Sequence, residues 1–114
     1  MDSILTSIKQ MLGITAECKD FDDSIMVHIN TVLMILRQNG IGPDKGFMVS
    51  SEMDTWVAFL GEDVVEELQA VKSYVYCKVK LIFDPPQSSA HLDALKSTAA
   101  ELEWRLNIQA DINS

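Results

Sequence analysis

The chain has 114 residues, 47% of them hydrophobic, and its nine basic and seventeen acidic residues give a net charge of −8. This length supports one domain with a single core, and the apolar fraction is typical of a folded globule rather than a disordered chain. The excess of acid argues against tight binding to DNA or RNA, because phosphate contacts need Lys and Arg. No apolar run reaches the roughly 18 residues of a membrane span.

The sequence shows neither of two features of secreted proteins, a signal peptide and a disulfide framework. Met1-Asp2-Ser3 is not followed by the basic and apolar regions of a signal peptide. Cys18 and Cys77 are too few for a disulfide framework. We therefore expect synthesis in a reducing cytosol.

The first forty residues predict two amphipathic helices. The first runs from Ser3 to Leu12, with Asp2 or Ser3 as its cap and Gly13 as its stop. The second starts at Ser24, after capping acids, and ends at Gly40. Its apolar positions extend beyond one stripe, which predicts cover on more than one side, from its own core or from a neighbouring subunit. These positions are Ile25, Met26, Ile29, Val32, Leu33, Met34, Ile35 and Leu36.

A breaker-rich loop and a short third helix follow. The loop consists of Gly40, Ile41, Gly42, Pro43, Asp44, Lys45 and Gly46. After it, 47–49 could form a short extended piece, one arm of a small hairpin. The segment 51–54 resembles a helix start. Trp56, Phe59 and Leu60 would share one face of this helix, and Gly61 would end it.

Two long helices separated by a proline corner are predicted in the second half. The fourth helix runs from about Asp63 to Phe83, and the fifth runs from Ser88 to Ile112. Between them, Asp84, Pro85 and Pro86 forbid a continuous helix and favour helices that fold back on each other. The stripe of the fourth helix consists of Val64, Leu68, Val71, Val75, Val79 and Ile82. The fold class is therefore all-α, a single domain (1–114) of about five helices.

Candidate reactive groups are few, and each favours a structural role. His28 has Thr31 and Val32 where a metal site would need ligands, and His91 is equally isolated. Cys77 falls in the apolar arc of the fourth helix, where free cysteine behaves as a small hydrophobe, and Cys18 lies in a turn. We expect no catalytic residue, no metal site and no cofactor.

Charged side chains follow helix geometry rather than the geometry of an active site. Glu62, Asp63, Glu66 and Glu67 would open the fourth helix, where acids favour the helix dipole. Glu101, Glu103 and Arg105 look like a solvated face, with Glu101 and Arg105 forming an i,i+4 pair.

The two tryptophans differ in position. Trp56 is predicted to lie in the core, closing the third helix on the longer ones. Trp104 falls beside the stripe formed by Leu95, Ala99, Leu102 and Leu106. It is compatible with core burial and also with a protein–protein contact, where aromatic residues are enriched.

Several stretches, taken together, carry a family resemblance over nearly the full length. The main one is a tyrosine-bearing helix from Glu67 that ends in the Phe83-Asp84-Pro85-Pro86 corner, and it is followed by 101–107 (ELEWRLN). Three further segments agree: the opening 8–14 (IKQMLGI), the glycine-rich loop at 40–43 (GIGP) and the later 56–61 (WVAFLG). This combination resembles the small head–tail connector proteins of tailed bacteriophages, the adaptors of the head-completion class.

The resemblance implies a helical, structural protein of the virion rather than an enzyme. Such adaptors form a ring of about a dozen copies beneath the portal, a closed arrangement with cyclic symmetry. The ring extends the DNA channel and offers a platform for the stopper or tail, and it is often reached only on the portal. The protein would be made in the host cytoplasm, would have no membrane partner, and would let DNA pass without specific binding.

Three hypotheses about sites accompany the resemblance. Trp104, Arg105 and Leu106 are expected at a portal or intersubunit contact, so that removal of 104–114 would abolish portal docking while the domain still folds. The 40–46 loop is expected at the lumen or at the tail-side partner, and the corner is expected to set the angle of the last helix. The alternative is a small acidic helical interaction module, a regulator or antitoxin that binds one partner.

Overall fold

The computed structural model describes residues 3–43, 45–61 and 65–113, without the side chains of 65–67 and 109–113. Its five helices are α1 (Ile4–Met11), α2 (Asp22–Gln38), α3 (Trp56–Leu60), α4 (Val65–Phe83) and α5 (Ser89–Asn113). The described residues form no strand, and their one isolated β-bridge joins Ser3 to Thr55. The all-α class predicted from the sequence is confirmed.

Helix α4 is the centre of the packing. It contacts α1, α2 and α5, whereas α1 additionally contacts α2. Its buried face consists of Val71, Tyr74, Val75 and Val79, and these residues join one hydrophobic cluster with the inward faces of α1, α2 and α3. Leu106 is the buried residue by which α5 enters that cluster. The molecule is a thin layer, with extents of 38 × 33 × 20 Å.

The predicted helix boundaries hold to within a few residues, and the capping details differ. Ser3 caps α1, since its side chain accepts a hydrogen bond from the Thr6 amide. Helix α2 begins at Asp22, two residues before the predicted start, and Phe21 at its cap position makes no side-chain hydrogen bond. The acids therefore lie in the first turn, where they favour the helix dipole, instead of capping it.

The extended piece predicted at 47–49 does not form a hairpin arm. Its hydrogen bonds go to one side chain of α2: the Val49 amide donates to Asn30 Oδ1 at 2.7 Å, and Asn30 Nδ2 donates to the Val49 carbonyl at 3.0 Å. An asparagine amide thus takes the place of a neighbouring strand, because it offers one donor and one acceptor.

Helix α3 starts later than the 51–54 segment suggested. Thr55 is the cap, and its hydroxyl accepts from the Ala58 amide. Asp54 instead closes the preceding turn, because its carboxylate accepts from the amides of Ser50 and Ser51. Trp56 is buried, as predicted, and its indole Nε1 donates to Ser7 Oγ at 3.2 Å.

The predicted stripe of α4 is wrong at its last position. Ile82 is 51% exposed, although Val71, Val75 and Val79 are buried. In the last turn of α4 it is Phe83 that packs against the core, where it is half-buried and makes an edge contact with the ring of Phe21 (5.6 Å). Val64, also predicted in the stripe, lies outside the described residues.

In the part of the chain that the structure describes, every helix is too short or too polar to serve as a membrane-spanning segment.

Candidate functional site

The corner between α4 and α5 is a short, fully trans connection. None of the described residues has a cis peptide bond, so both prolines are trans. The Asp84 amide continues the helical pattern by donating to the Lys80 carbonyl at 3.0 Å, and Lys80 Nζ lies 2.8 Å from the Asp84 carboxylate. After the prolines, the Ser88 carbonyl accepts from the Leu92 amide and starts α5. The predicted structural corner at Asp84, Pro85 and Pro86 is where the chain turns.

Helix α5 is held on α4 by a partly buried hydrogen bond in addition to apolar packing. The Tyr74 hydroxyl donates to Glu103 Oε1 at 2.6 Å, and the Tyr74 side chain is fully buried. Burial, reinforced by the Glu103 carboxylate, raises the pKa of Tyr74 well above its usual range. The expectation of a solvated face is therefore wrong for Glu103, because this carboxylate is half-buried and bonded to the neighbouring helix.

The same helix presents an apolar surface on its opposite side. Trp104 is 62% exposed and Ile108, one turn later, is also exposed. Next to them, Arg105 and Glu101 form the predicted i,i+4 ion pair at 3.0 Å. Of the two interpretations of Trp104, core burial and a protein–protein contact, the structure excludes burial in the core of its own chain.

The three residues expected at a contact do not share one surface. Trp104 and Arg105 point to solvent, whereas Leu106 is buried in the core of the same chain. Consecutive helix residues differ by about 100° in direction, so three in a row cannot face one partner.

The loop at 40–46 is anchored at its first half. The Ile41 amide donates to the Leu36 carbonyl at 2.9 Å, and Gly42 packs so closely on Phe59 that an added Cβ would lie 2.6 Å from the ring. Gly42 also has a φ of +95°, which favours glycine. Lys45 is exposed, and Asp44 lies outside the described residues.

The side chains that could take part in chemistry, the histidines and cysteines, lie apart from one another or pack against apolar neighbours. The ring of His28 stands edge-on to Phe83 with centroids 6.4 Å apart, and His91 is exposed. Cys77 is buried, and burial raises the pKa of its thiol, which makes it less reactive. Cys18 is half-buried and reduced. Among the described residues no His, Cys, Asp or Glu cluster could hold a metal ion.

The acidic residues predicted at the start of α4 have no described side chains. Glu62 and Asp63 lie outside the described residues, as do the side chains of Glu66 and Glu67.

Sequence reasoning missed one polar site, a buried lysine. Lys9 is 2% exposed, and its Nζ donates to the carbonyls of Cys18 (2.6 Å) and Ala16 (3.3 Å) and pairs with Asp22 Oδ1 (2.7 Å). It fastens the turn after α1 to the start of α2. The signal was present, because Lys9 falls four residues after Leu5 and so lies on the apolar face of α1.

Comparison with known proteins gives a family for this arrangement. The family model described as "Phage connector protein" matches residues 4–113, which is nearly the whole chain and includes all five helices. The chain belongs to the phage connector protein family. No curated protein and no solved structure matches it significantly.

The family match agrees with the resemblance carried by the tyrosine-bearing helix, the proline corner and the ELEWRLN helix. Those segments meet in the structure, since Tyr74 of α4 bonds to Glu103 of α5. The connector is thus a structural phage protein by class, and its functional surfaces must be sought among the exposed residues of these helices.

Proposed function

We propose that this connector is a virion component that forms a homo-oligomeric ring between the portal and the tail or stopper of a tailed phage. The ring would have about a dozen copies related by cyclic symmetry. It would extend the DNA channel, complete the head and join it to the tail. The family match over residues 4–113 is the observation that carries this proposal.

The charge of the protein supports a channel through which DNA slides. Each copy has a net charge of −8. Phosphates are repelled by an acidic wall and are held by clustered Lys and Arg. A ring of such subunits would therefore guide DNA without gripping it.

Three parts of the surface are assigned roles in this proposal. The exposed side of α5, with Trp104 and Arg105, contacts the portal or a neighbouring subunit. The 40–46 loop borders the lumen or the tail-side partner. The corner at 84–86 fixes the direction of α5, and Leu106 supports that helix from within the core.

The proposal is tested by adding the purified connector to the portal protein of the same phage and measuring the mass of the product. We expect portal-dependent assembly of a ring that electron microscopy resolves as an extra layer. A connector that stays apart from the portal, or that forms a stable one-to-one complex with an unrelated protein, would contradict the proposal.

The portal contact is tested better by substitution than by truncation. Removing 104–114 would also remove Leu106, which is buried in the core, so lost docking could reflect misfolding. Trp104→Ala combined with Arg105→Ala leaves the core intact. The matched control is Met53→Ala, an exposed apolar residue in the turn before α3. We expect the double variant to fold and to lose assembly, and the control to assemble normally.

A further inference from the structure

Helix α5 has two nearly opposite sides with the same kind of spacing. The inner side packs on α4, and its residues are buried or half-buried: Leu92, Leu95, Ala99, Leu102 and Leu106. The outer side repeats in alternate steps of four and three residues, and all of its members are exposed: Ala90, Ala94, Ser97, Glu101, Trp104 and Ile108. Alternate steps of three and four are the spacing of a seam that packs along another helix. We call this second series the outer stripe.

The side chains of the outer stripe are graded in size along the helix. Ala90 and Ala94, toward the proline corner, are small, whereas Trp104 and Ile108, toward the other end, are large. Trp104 is 62% exposed. A parallel partner of the same sequence would place large side chains against large ones. An antiparallel partner places each large side chain opposite a small one, which is how facing surfaces interdigitate.

The spacing of the outer stripe fits a second copy in the antiparallel direction. Its positions are symmetric about residue 99, so a reversed copy brings Ile108 opposite Ala90 and Trp104 opposite Ala94. The stripe is thus complementary to itself in shape. This is the property that a two-fold contact requires, because the same surface of each copy then meets its equivalent.

The middle of the stripe is polar, and its groups can pair across the same axis. Ser97 faces Glu101 in the antiparallel register. Glu101 Oε1 accepts a hydrogen bond from Arg105 Nη2 at 3.0 Å. A carboxylate has about four acceptor positions, so it can also accept a bond from a serine hydroxyl of the second copy without losing Arg105. A polar pair in a helix seam fixes its register at some cost in stability.

We propose that two copies of the free connector pair through the outer stripe of α5, antiparallel and about a two-fold axis. The contact covers 90–108, a length of about 28 Å at 1.5 Å per residue. A single pair of helices lies at the low end of interface size, below about 1,200 Å², where complexes are transient. The dimer is therefore reversible.

This inference goes beyond the proposed ring and does not rest on it. A two-fold contact closes with two copies, whereas a ring needs a contact between two different surfaces. The dimer therefore describes the protein before assembly. It covers Trp104, which the proposed function assigns to the portal or to a neighbouring subunit, so pairing and that contact exclude each other.

Cross-linking of the free protein tests the direction of the pairing. Cysteines are introduced singly by Ser97→Cys or Ala90→Cys in a Cys18→Ser background, and this background without an added cysteine is the control. In the antiparallel register, two copies of position 97 lie about 6 Å apart along the helix axis, and two copies of position 90 lie about 27 Å apart. A bismaleimide with a short spacer should link the Ser97→Cys variant into dimers and leave the Ala90→Cys variant monomeric. A mixture of Ala90→Cys and Ile108→Cys should give dimers that neither variant gives alone.

Substitution of the largest side chain measures the strength of the contact. Trp104→Ala should raise the dissociation constant of the dimer about 30-fold or more, as loss of an interface hot spot does. Met53→Ala, at a methionine that is 81% exposed in the turn before α3, is the matched control and should leave the constant unchanged. Analytical ultracentrifugation over a range of concentrations measures all three proteins, and circular dichroism checks that they are folded.

The outcomes are distinct from those of the ring. A free connector that stays monomeric at every concentration, or that forms larger species instead of dimers, overturns the pairing. Equal cross-linking from positions 90 and 97 overturns the antiparallel register, and equal dissociation constants for Trp104→Ala and Met53→Ala overturn the role of the outer stripe. All of these measurements are made without the portal, so they leave the proposed ring standing. A connector that dimerises but does not assemble on the portal contradicts the ring alone.

Discussion

The half of the connector that contains α1 to α3 is held differently from the α4–α5 hairpin. In the first half, a buried ammonium binds two carbonyls and a carboxylate, an asparagine binds both backbone groups of Val49, and Gly42 touches the ring of Phe59. In the hairpin, α5 relies on an apolar stripe, one partly buried hydrogen bond and a proline corner. The first half thus adds specific contacts at single positions to the apolar core that it shares with α4, whereas the last helix depends on one face, one hydrogen bond and the direction that the corner gives it.

The largest effect is expected at Lys9. Lys9→Ala leaves Asp22 without its ion pair and the Ala16 and Cys18 carbonyls without this donor. Breaking a buried pair from one side costs about 3–5 kcal/mol, so the free energy of unfolding measured in urea should fall by about that much. The control is Lys19→Ala, because Lys19 and Glu52 form an exposed pair at 3.3 Å and such pairs contribute at most about 1 kcal/mol. Equal decreases in the free energy of unfolding of the two variants would show that the Lys9 contacts do not stabilise the fold more than an exposed ion pair does.

Lys9 also shows where inference from the sequence stops. Periodicity and breakers predicted five helices, their order and the loops between them, because helix faces and glycine or proline stops are local features. The Lys9 contacts and the Tyr74–Glu103 bond join residues 7 to 29 positions apart. Charged residues usually lie at the surface, so composition alone assigned Glu103 to solvent and overlooked Lys9.

The positions of Trp104 and Leu106 show the same limit of inference from the sequence. Trp104 falls beside the stripe of α5, a position compatible with core burial and with a contact, and only the structure shows that its side chain is exposed. Leu106 was assigned both to the stripe and to a contact, and only the packing shows that it serves the stripe.

A second test of the first half concerns the close approach at Gly42. Gly42→Ala should destabilise the protein by about 2–4 kcal/mol, because it adds a methyl group 2.6 Å from the Phe59 ring and forces alanine into a positive φ. Gly13→Ala is the matched control: φ is +84° there, but no atom lies within 4 Å of the added Cβ. Its cost should be about 1 kcal/mol, from backbone strain alone. Thermal unfolding of both variants measures the difference, and equal costs would mean that the loop moves aside freely.

The hydrogen bond of the hairpin predicts a smaller loss and a pH dependence. Tyr74→Phe leaves the Glu103 carboxylate without this donor, which should cost about 1.5–3 kcal/mol. Folding raises the pKa of Tyr74 above its ordinary value of 10.0. Stability from this group is therefore complete below pH 10.0 and decreases as the pH rises further, because the unfolded chain loses the proton first.

The contribution of Tyr74 to this pH dependence is measured by comparing the unsubstituted protein with Tyr74→Phe. Burial also raises the pKa of Cys77 above 9.0, which gives a loss of the same sign in both. The unfolding free energy of the unsubstituted protein should therefore fall more steeply above pH 10.0 than that of Tyr74→Phe. Parallel curves would show that the Tyr74 hydroxyl does not link α5 to α4.

The smallest effect on folding, with a large effect on assembly, is expected at the corner. Pro85→Ala with Pro86→Ala frees the backbone of the unfolded chain, which costs about 0.4–1 kcal/mol for each proline. The core contacts of α4 do not involve these residues, so the variant should fold. The corner would no longer restrict the direction of α5, which would then depend on its packing against α4 and on the Tyr74–Glu103 bond, and Trp104, at 62% exposure, gains nothing from the core that could hold it in place. Portal-dependent assembly should therefore fall well below that of Gly13→Ala, which has a similar cost in stability. If the two variants assemble equally well, the corner serves folding alone, and the direction of α5 is set by the Tyr74–Glu103 bond and the buried stripe.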